Sequence, residues 1–499
     1  MMRWSWLLVA ALVATPALAA DKKKDEKKAP PAPAVQDAVA AAETKIKAGD
    51  VDGAIDVLQK AVATDGRAAL RLGVLRESRG ELDLAVDAYK AAGEKLSGPP
   101  KGEALGRLAV VQDARGMSEA SATADAAQAA DAEGAWPAIA ASYRRAHEGK
   151  ADEAVTLAQK AIAAGGGAAA KAALAHALDA KGDRAAAEAA YREAIAADPQ
   201  AITPVVGLAA VLRETGRAGE AEPMLKKVID GAPGAVEAYK ELTRVKIALG
   251  RAQDALGDAN IAAAMAENDA EARDLVVQVK VARALQAVSE GQADLAVQDL
   301  TKLRDDNPGA ASVRLGLGRA QIARRDANAA LAELQKAVEL DPKNAEAQFQ
   351  LGWVQLMMKG NAAGAVAPLE QAVALEPANV GYQTTLGVAL AGSQQLDRSI
   401  ALLTRLTAAP DYKKPEGYAA LGQAYVQLKR YKEAVPPLEK ATVLAPGDAQ
   451  TWATLGWAYF GLKDATKFKE TAGKARSLGY KEPTLLSYLK RVEGGEAIK

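Results

Sequence analysis

The chain has 499 residues, of which 49% are hydrophobic, 25% are charged and only 4% are aromatic. Its 63 basic and 63 acidic side chains balance, so no overall field favours nucleic acid or an anionic membrane surface. The sequence contains no cysteine, which excludes a disulfide framework. Such an alanine-rich composition is typical of a helical protein and gives no support to binding of nucleic acid.

The first twenty residues have the features of a secretory signal peptide. Arg3 precedes the apolar run WLLVAALVA, and the small-residue motif Ala17-Leu18-Ala19 follows it. The run falls short of the ~20 residues that a membrane-spanning helix needs, so a retained anchor is the weaker alternative. We therefore expect cleavage after Ala19 or Ala20 and a periplasmic or secreted chain that does not span the membrane.

Residues 21–34, DKKKDEKKAPPAPA, join a charge run to a proline–alanine stretch. This segment has little apolar surface to bury, so we predict a disordered tether. Electrostatic contact with anionic polymers of the envelope is an alternative role. Peripheral association with the outer membrane therefore stays open.

From residue 35 onward, glycine and proline recur at a nearly constant spacing. The glycines lie about 31 to 41 residues apart, and a period of roughly 20–50 residues indicates a repeat architecture. The recurring glycines are Gly49, Gly80, Gly116, Gly149, Gly182, Gly216, Gly250 and Gly291. The recurring prolines are Pro199, Pro233, Pro308, Pro342, Pro377, Pro410 and Pro446.

Each period contains the parts of a helical hairpin. A Leu-Gly or Leu-Ala pair, such as Leu317-Gly318, places a small residue where two helices touch. A second small residue, Ala330 in the same repeat, allows the helices to approach closely. The glycine in the bend ends the first helix in the left-handed conformation, and the proline ends the second helix.

These residues are spaced as in the tetratricopeptide repeat, which the stretch from Leu421-Gly422 to Pro446 resembles closely. Trp452 adds the family's tryptophan just before Leu455-Gly456. The resemblance implies an all-α fold, an α-solenoid in which about thirteen helix-turn-helix repeats form a right-handed superhelix with a concave groove. The predicted repeats begin near residues 35, 66, 102, 135, 168, 202, 236, 277, 311, 345, 380, 415 and 449.

We predict N-terminal repeats over residues 35–269, C-terminal repeats over 270–482, and a capping helix with a polar tail over 483–499. About seven extra residues precede the repeat at 277. Several second helices contain a proline, which removes a backbone hydrogen bond, and we expect these helices to bend. The prolines concerned are Pro223, Pro368, Pro436 and Pro437.

The sequence carries no catalytic motif that meets its own spacing. His147 would begin a zinc-protease motif, but Ala151 occupies the place of the second histidine. His176 lies in a different repeat, and we expect both histidines to be ordinary surface or groove residues. Gly316-Leu317-Gly318 lacks the third glycine of a dinucleotide-binding loop, because Gln321 stands there. We expect no enzymatic activity, no metal site and no cofactor.

In the tetratricopeptide family, the first helix of each repeat lines the groove through repeat positions 2, 5, 9, 12 and 13. Aromatic side chains, which often dominate binding energies, concentrate in the last third of this chain. We predict that Trp452 is a core residue, whereas burial of Trp353 and Trp457 against neighbouring repeats is an open alternative to exposure. The predicted partner-binding residues are Phe349, Trp353, Met357, Gln423, Gln427, Trp457, Phe460 and Arg319.

These features favour a non-enzymatic periplasmic scaffold or adaptor that binds protein partners of the cell envelope. Pilus assembly, secretion, gliding motility and outer-membrane assembly are plausible settings from the resemblance. A glycan-binding component of exopolysaccharide export is one alternative, since aromatic rings can stack on sugars. A holding chaperone for exported proteins is another, although the alanine-rich N-terminal repeats do not favour it. We expect no nucleic-acid partner.

Overall fold

The computed structural model describes residues 38–267 and 269–498, and every regular element in those ranges is helical. Helices alternate in thirteen hairpins, each made of an odd-numbered first helix and an even-numbered second helix, and a last helix follows them. This arrangement confirms the predicted all-α repeat fold. The predicted signal peptide and tether lie outside the described residues.

The described residues up to Val279 form one compact unit, here called the N-terminal unit. Its helices are α1 (Ala38–Lys47), α2 (Val51–Ala61), α3 (Gly66–Ser78), α4 (Leu82–Lys95), α5 (Gly98–Ala114), α6 (Ala120–Ala130), α7 (Ala135–His147), α8 (Ala151–Ala163), α9 (Gly167–Ala180), α10 (Arg184–Ala197), α11 (Ile202–Glu214), α12 (Ala218–Gly231), α13 (Val236–Ala248), α14 (Ala252–Met265) and the first half of α15 (Ala270–Ser289).

The second compact unit, here called the C-terminal unit, begins inside α15 at Lys280. Its remaining helices are α16 (Ala293–Asp306), α17 (Ala311–Ala323), α18 (Ala327–Leu340), α19 (Ala345–Trp353), α20 (Ala362–Leu375), α21 (Val380–Gly392), α22 (Leu396–Thr407), α23 (Pro415–Gln427), α24 (Tyr431–Leu444), α25 (Ala449–Gly461), α26 (Ala465–Ser477) and α27 (Pro483–Glu493). A π-helical turn, Val354–Met358, continues α19.

The bends between paired helices follow the predicted chemistry. All eight recurring glycines have a positive φ, for example 78° at Gly49 and 86° at Gly182. Four bends of the C-terminal unit use a non-glycine residue in the same left-handed region instead. These four residues are Arg325, Gln394, Lys429 and Lys463.

Small residues bring the paired helices together as the sequence indicates. A Cβ atom placed on Gly318 would lie 2.5 Å from Cγ of Leu334 on the partner helix. Ala330 and Ala434, the second small residues of two repeats, are fully buried. Real Cβ atoms do not come that close to a carbon, so glycine at position 318 is a packing requirement.

Within each compact unit, the odd-numbered helices form the inner layer. From α5 to α13, each odd-numbered helix packs against the next odd-numbered helix as well as against its own partner. No comparable packing joins successive even-numbered helices in the described residues. A stack of hairpins whose first helices touch while their second helices splay apart must curve, with the first helices inside.

Two predicted repeat starts differ from the structure. The extra residues before 277 are not a linker, because α15 begins at Ala270, where Asp269 accepts hydrogen bonds from the N–H groups of Glu271 and Ala272. The first helix of the repeat predicted at 102 begins earlier, at Gly98. Helices α12, α20 and α24 each continue through their internal prolines.

Candidate interaction surface

Side-chain caps on the preceding loops fix where the helices of the predicted groove begin. The side-chain oxygen of Asn344 accepts a hydrogen bond from the N–H of Ala347 at 3.0 Å, at the start of α19. Asn379 does the same for Gly381 and Tyr382 at the start of α21. Such N-caps satisfy donors that have no partner within the helix.

Three predicted binding residues lie along one side of α19 and its continuation. Phe349, Trp353 and Met357 are spaced by four residues, which places them near one another on a helix surface. Phe349 and Trp353 are half-buried, whereas Met357 is 60% exposed. This row presents an apolar side chain to solvent beside two aromatic rings.

The π-helical turn at the end of α19 was not predicted. The N–H of Lys359 donates to the carbonyl of Val354 at 3.1 Å, and the N–H of Asn361 donates to Gln355 at 2.8 Å. A wider turn shifts the side chains after it relative to an α-helix, and π-turns are frequent at functional sites. Met357 lies within this turn.

Tyr382 extends the row across to the next repeat. Its ring stacks on Phe349 with a centroid separation of 4.5 Å and an interplanar angle of 20°. Sequence reasoning missed Tyr382 because it occupies the third position of its repeat, outside the groove positions of the family. Phe349, Trp353, Met357 and Tyr382 together are called the aromatic surface below.

Trp353 packs toward the preceding repeat. Its ring contacts the buried cluster that includes Leu334 of α18 and Val354. Phe349 packs the opposite way, on the cluster that includes Leu369 of α20. The two rings therefore span neighbouring repeats while each stays partly accessible, which combines the two alternatives that the sequence left open for Trp353.

Arg319 lies on α17 and forms an ion pair with Glu346 in the first turn of α19. Its guanidinium is 3.1 Å from the carboxylate of Glu346, and both side chains are exposed. An exposed pair of this kind is worth at most about 1 kcal/mol. The pair therefore contributes little to stability and leaves Arg319 available to another carboxylate.

Gln423 and Gln427 are both exposed on α23, four residues apart. The predicted residues thus do not form one contiguous site. Phe349, Trp353 and Met357 form one group with Arg319 nearby, and the glutamines form a second group on α23.

Trp457 and Phe460 form a third group, beneath the last helix. Their rings are 5.7 Å apart, and both contact Tyr488 of α27, at 5.9 Å and 4.7 Å. Both are half-buried. Trp452, predicted to be a core residue, is also only half-buried and donates its indole N–H to the carbonyl of Pro446 at 3.0 Å.

Family models for the tetratricopeptide repeat match four separate stretches of the chain. The first stretch begins in α1, and the last ends just after α24. The matched residues are 39–98, 168–200, 287–351 and 384–449. The chain belongs to the tetratricopeptide repeat proteins. A search of curated protein sequences found no match.

Several solved structures are similar to the tetratricopeptide chain at low sequence identity. A chain of the APC/C hetero-tetramer Cut9–Hcn1 is 14% identical, with a TM-score of 0.43 over 90% of this chain and 95% of that one. YrrB, described as a TPR protein with an unusual peptide-binding site, is 22% identical, with a TM-score of 0.32 over 38% and 97%. PilW, a type IV pilus biogenesis factor, is 17% identical, with a TM-score of 0.37 over 43% and 98%. These similarities assign no function.

The two histidines of this tetratricopeptide protein meet in the N-terminal unit, although they lie in different repeats and were each expected to be an ordinary surface or groove residue. The ring of His176 on α9 lies 5.3 Å from that of His147 on α7 and 4.9 Å from that of Tyr143. His147 Nδ1 is 2.9 Å from a carboxylate oxygen of Asp113 on α5. Both histidines occupy groove positions of their repeats, the thirteenth and the ninth, and that signal would have paired them.

The two imidazoles have opposite electrostatic settings. The hydrogen bond to Asp113 raises the pKa of His147 above its ordinary value. Burial lowers the pKa of His176, and the neighbouring His147 lowers it further. A cavity of about 290 Å³ adjoins His147, with Asp113 and Arg144 in its wall. The described residues contain no group of three or more side chains suited to hold a metal ion.

No helix within residues 38–267 and 269–498 combines the length and the apolar character needed to cross a membrane.

Proposed function

We propose that this protein is a non-enzymatic scaffold of the cell envelope that binds protein partners through the aromatic surface of its C-terminal unit. Tetratricopeptide repeats are protein-interaction modules, typically without catalytic activity. The proposal adds the place of binding, the class of partner and the compartment.

The observation that carries the proposal is the exposed row on α19. Met357 is the most exposed of the large apolar side chains on the first helices of the C-terminal unit, and it follows the half-buried Trp353 by four residues. The stacked pair of Phe349 and Tyr382 continues the row onto α21. An apolar centre with a polar residue at its edge, here Arg319 of α17, is the usual anatomy of a protein interface.

An amphipathic segment of a partner fits this surface. Aromatic rings that are already fixed by packing lose little conformational entropy on binding, so they give a large share of the contact energy. Met357 is flexible and polarizable and adapts to an apolar side chain of the partner. Arg319 is placed to receive a carboxylate at the edge of the same surface.

The compartment rests on the sequence alone. The signal-peptide features of residues 1–20 support export, and an envelope machine such as one for pilus assembly, secretion, gliding motility or outer-membrane assembly is the proposed setting. A polysaccharide is the alternative occupant of the aromatic surface.

The test is affinity capture of the mature protein from envelope extracts, with Met357→Glu as the variant. A carboxylate at the centre of an apolar contact must be desolvated on binding, so we expect at least roughly tenfold weaker capture of the partner. Met357 is exposed, so the substitution does not disturb the core.

The matched control is Val443→Glu, which places the same charge at a side chain that is 73% exposed on the outer helix α24. Equal capture by the wild-type protein and both variants would show that the partner does not bind at the aromatic surface. Recovery of polysaccharide without any protein, lost in Met357→Glu alone, would replace the protein partner by a glycan.

A further inference from the structure

The N-terminal unit contains a contact between repeats that are far apart in sequence. In a repeat array, each hairpin is expected to touch only its neighbours, and the helix pairs that pack in this unit follow that rule. The exception joins Arg115 to Asp269 across 154 sequence positions, and Gly80 to Ala235 nearby. These contacts are called the clasp.

The first half of the clasp is a contact between two backbone turns. A Cβ atom on Gly80 would lie 2.4 Å from Cα of Ala235, and one on Gly234 would lie 2.8 Å from the carbonyl oxygen of Arg79. Gly80 is buried, whereas the other bend glycines of this unit are exposed and have open space around them. Those exposed bend glycines are Gly49, Gly116, Gly149, Gly182, Gly216 and Gly250.

The second half of the clasp is a buried chain of ion pairs. Arg115 holds the carboxylate of Asp83 on the neighbouring repeat at 3.1 and 3.2 Å, and its remaining nitrogen reaches Asp269 at 3.3 Å. Asp269 in turn lies 3.2 Å from Nζ of Lys240. The side chains of Arg115, Asp269 and Lys240 are only 6%, 7% and 1% exposed.

Neighbouring groups favour the ionised form of the Asp269 carboxylate at the clasp. Burial by itself would raise the pKa of Asp269, but Lys240, the N–H of Ala272 and Arg115 together lower it below its ordinary value. Lys240 also contacts Glu237 and Glu271, which balance its charge. Asp269 therefore bridges two cations from different parts of the unit while it also caps α15.

The clasp is small compared with the contacts that hold neighbouring hairpins together, so it can open and close. Only a few side chains and two turns meet at the clasp, whereas each hairpin is held to the next by long helix–helix contacts. A buried ion pair gives little net stability, but loss of one partner strands the other charge away from water. The two sides of the clasp belong to different helices, so they can separate while every helix stays folded, and water then solvates the separated charges.

We propose that the clasp is a releasable latch that holds the N-terminal unit in a closed curve, and that its release relaxes the curvature while the helices stay intact. The closed curve confines the inner layer of odd-numbered helices. Release widens that inner face. Both sides of the clasp belong to the N-terminal unit.

The experiment uses the absence of cysteine from the chain. Cysteines introduced together as Ser78→Cys and Pro233→Cys stand at exposed positions on the two sides of the clasp. A short bismaleimide then reports closure in the mature protein as a rate of intramolecular crosslinking. Circular dichroism measures helix content, and small-angle X-ray scattering measures the radius of gyration.

Two substitutions break the clasp by different means. Asp269→Asn removes the bridging charge but keeps an N-cap, because asparagine caps a helix as well as aspartate does. Gly80→Ala places a methyl group against the backbone of Ala235. We expect each to slow crosslinking by about tenfold or more and to enlarge the radius of gyration, with helix content unchanged.

Gly216→Ala is the matched control. Its φ of 78° is close to the 74° of Gly80, so alanine meets the same backbone strain, but no atom lies near its added methyl group. If Gly216→Ala changes the crosslinking rate and the radius of gyration as much as Gly80→Ala does, backbone strain explains the effect and the proposed latch is wrong. Failure of the unsubstituted clasp to crosslink, or crosslinking that both clasp variants leave unchanged, would overturn it too. If Asp269→Asn lowers helix content, Gly80→Ala decides alone.

Discussion

The pKa values of the two histidines are shifted in opposite directions although their rings are only 5.3 Å apart. The side chain of His147 is 55% exposed, and its hydrogen bond to Asp113 favours the protonated imidazole. His176 is enclosed by α7 and α9, with Tyr143, His147 and Asp113 facing it from the inner layer and Asp179 from its own helix. Its Nε2 is buried without a hydrogen-bond partner.

We predict that His176 makes the N-terminal unit less stable in acid. The folded-state pKa of His176 is lowered, so the unfolded chain binds a proton more readily, and stability falls as the pH drops below the ordinary histidine value of 6.5. His147 acts in the opposite sense, because its raised pKa adds stability on acidification that is lost as the pH rises through that folded-state value.

The measurement is the melting temperature of wild type and His176→Gln between pH 7.5 and 5. Glutamine stays neutral, so the melting temperature of the variant should fall less on acidification than that of the wild type. His147→Gln serves as the control and should fall more. Parallel curves for all three proteins would show that His176 is not buried in its neutral form.

For single residues, the sequence predicts the kind of contact that a side chain makes better than it predicts the residue on the other side of that contact. The fully buried Ala330 and Ala434 follow from local spacing, since a small residue is required at each helix crossing. Tyr382 stacked on Phe349 and the meeting of His147 with His176 depend on how one hairpin sits on the next. That geometry is set by packing over many residues and leaves no local signature.

At the scale of elements, glycines inside helices divide into those that packing requires and those that it does not. A Cβ atom on Gly106 of α5 would lie 2.6 Å from the carbonyl carbon of Trp136 on α7, and a backbone atom cannot rotate away. Gly257 of α14 has open space around its added atom. Gly106 therefore marks a close approach of α5 to α7 within the inner layer.

We predict opposite signs for the same substitution at these two glycines. Gly106→Ala should lower the free energy of unfolding by about 1–3 kcal/mol, because α5 and α7 must separate to admit the methyl group. Gly257→Ala should raise it by up to about 1 kcal/mol, because alanine is the better helix former. Thermal unfolding followed by circular dichroism measures both, and stabilisation by Gly106→Ala would contradict the close contact of α5 with α7.

The helix boundaries were largely predictable because they rest on local chemistry. Glycines at the bends need a positive φ, and prolines cannot continue a helix, so most first helices begin where the repeat pattern places them. α15 is the exception. Its extra first turns carry no glycine or proline, and Asp269 as its cap was not recognised before the structure showed it.

At the scale of the whole molecule, hairpins repeat because an array offers an extended surface instead of a pocket. Acidic residues of one repeat pair with basic residues of the next, as in Arg217 with Glu188 and Arg251 with Glu222. Such pairs help to align successive hairpins. Little of this pairing could be predicted, since charged side chains at helix surfaces have several partners within reach.

Binding of a protein partner at the aromatic surface can be tested in the cell. The most direct measurement places a photo-crosslinking amino acid at position 357 in the living cell and identifies what it captures, with position 443 on the outer helix as the control. The proposal predicts a defined envelope protein captured from position 357 and absent from position 443. Capture of the same proteins from both positions, or from position 443 alone, would contradict it.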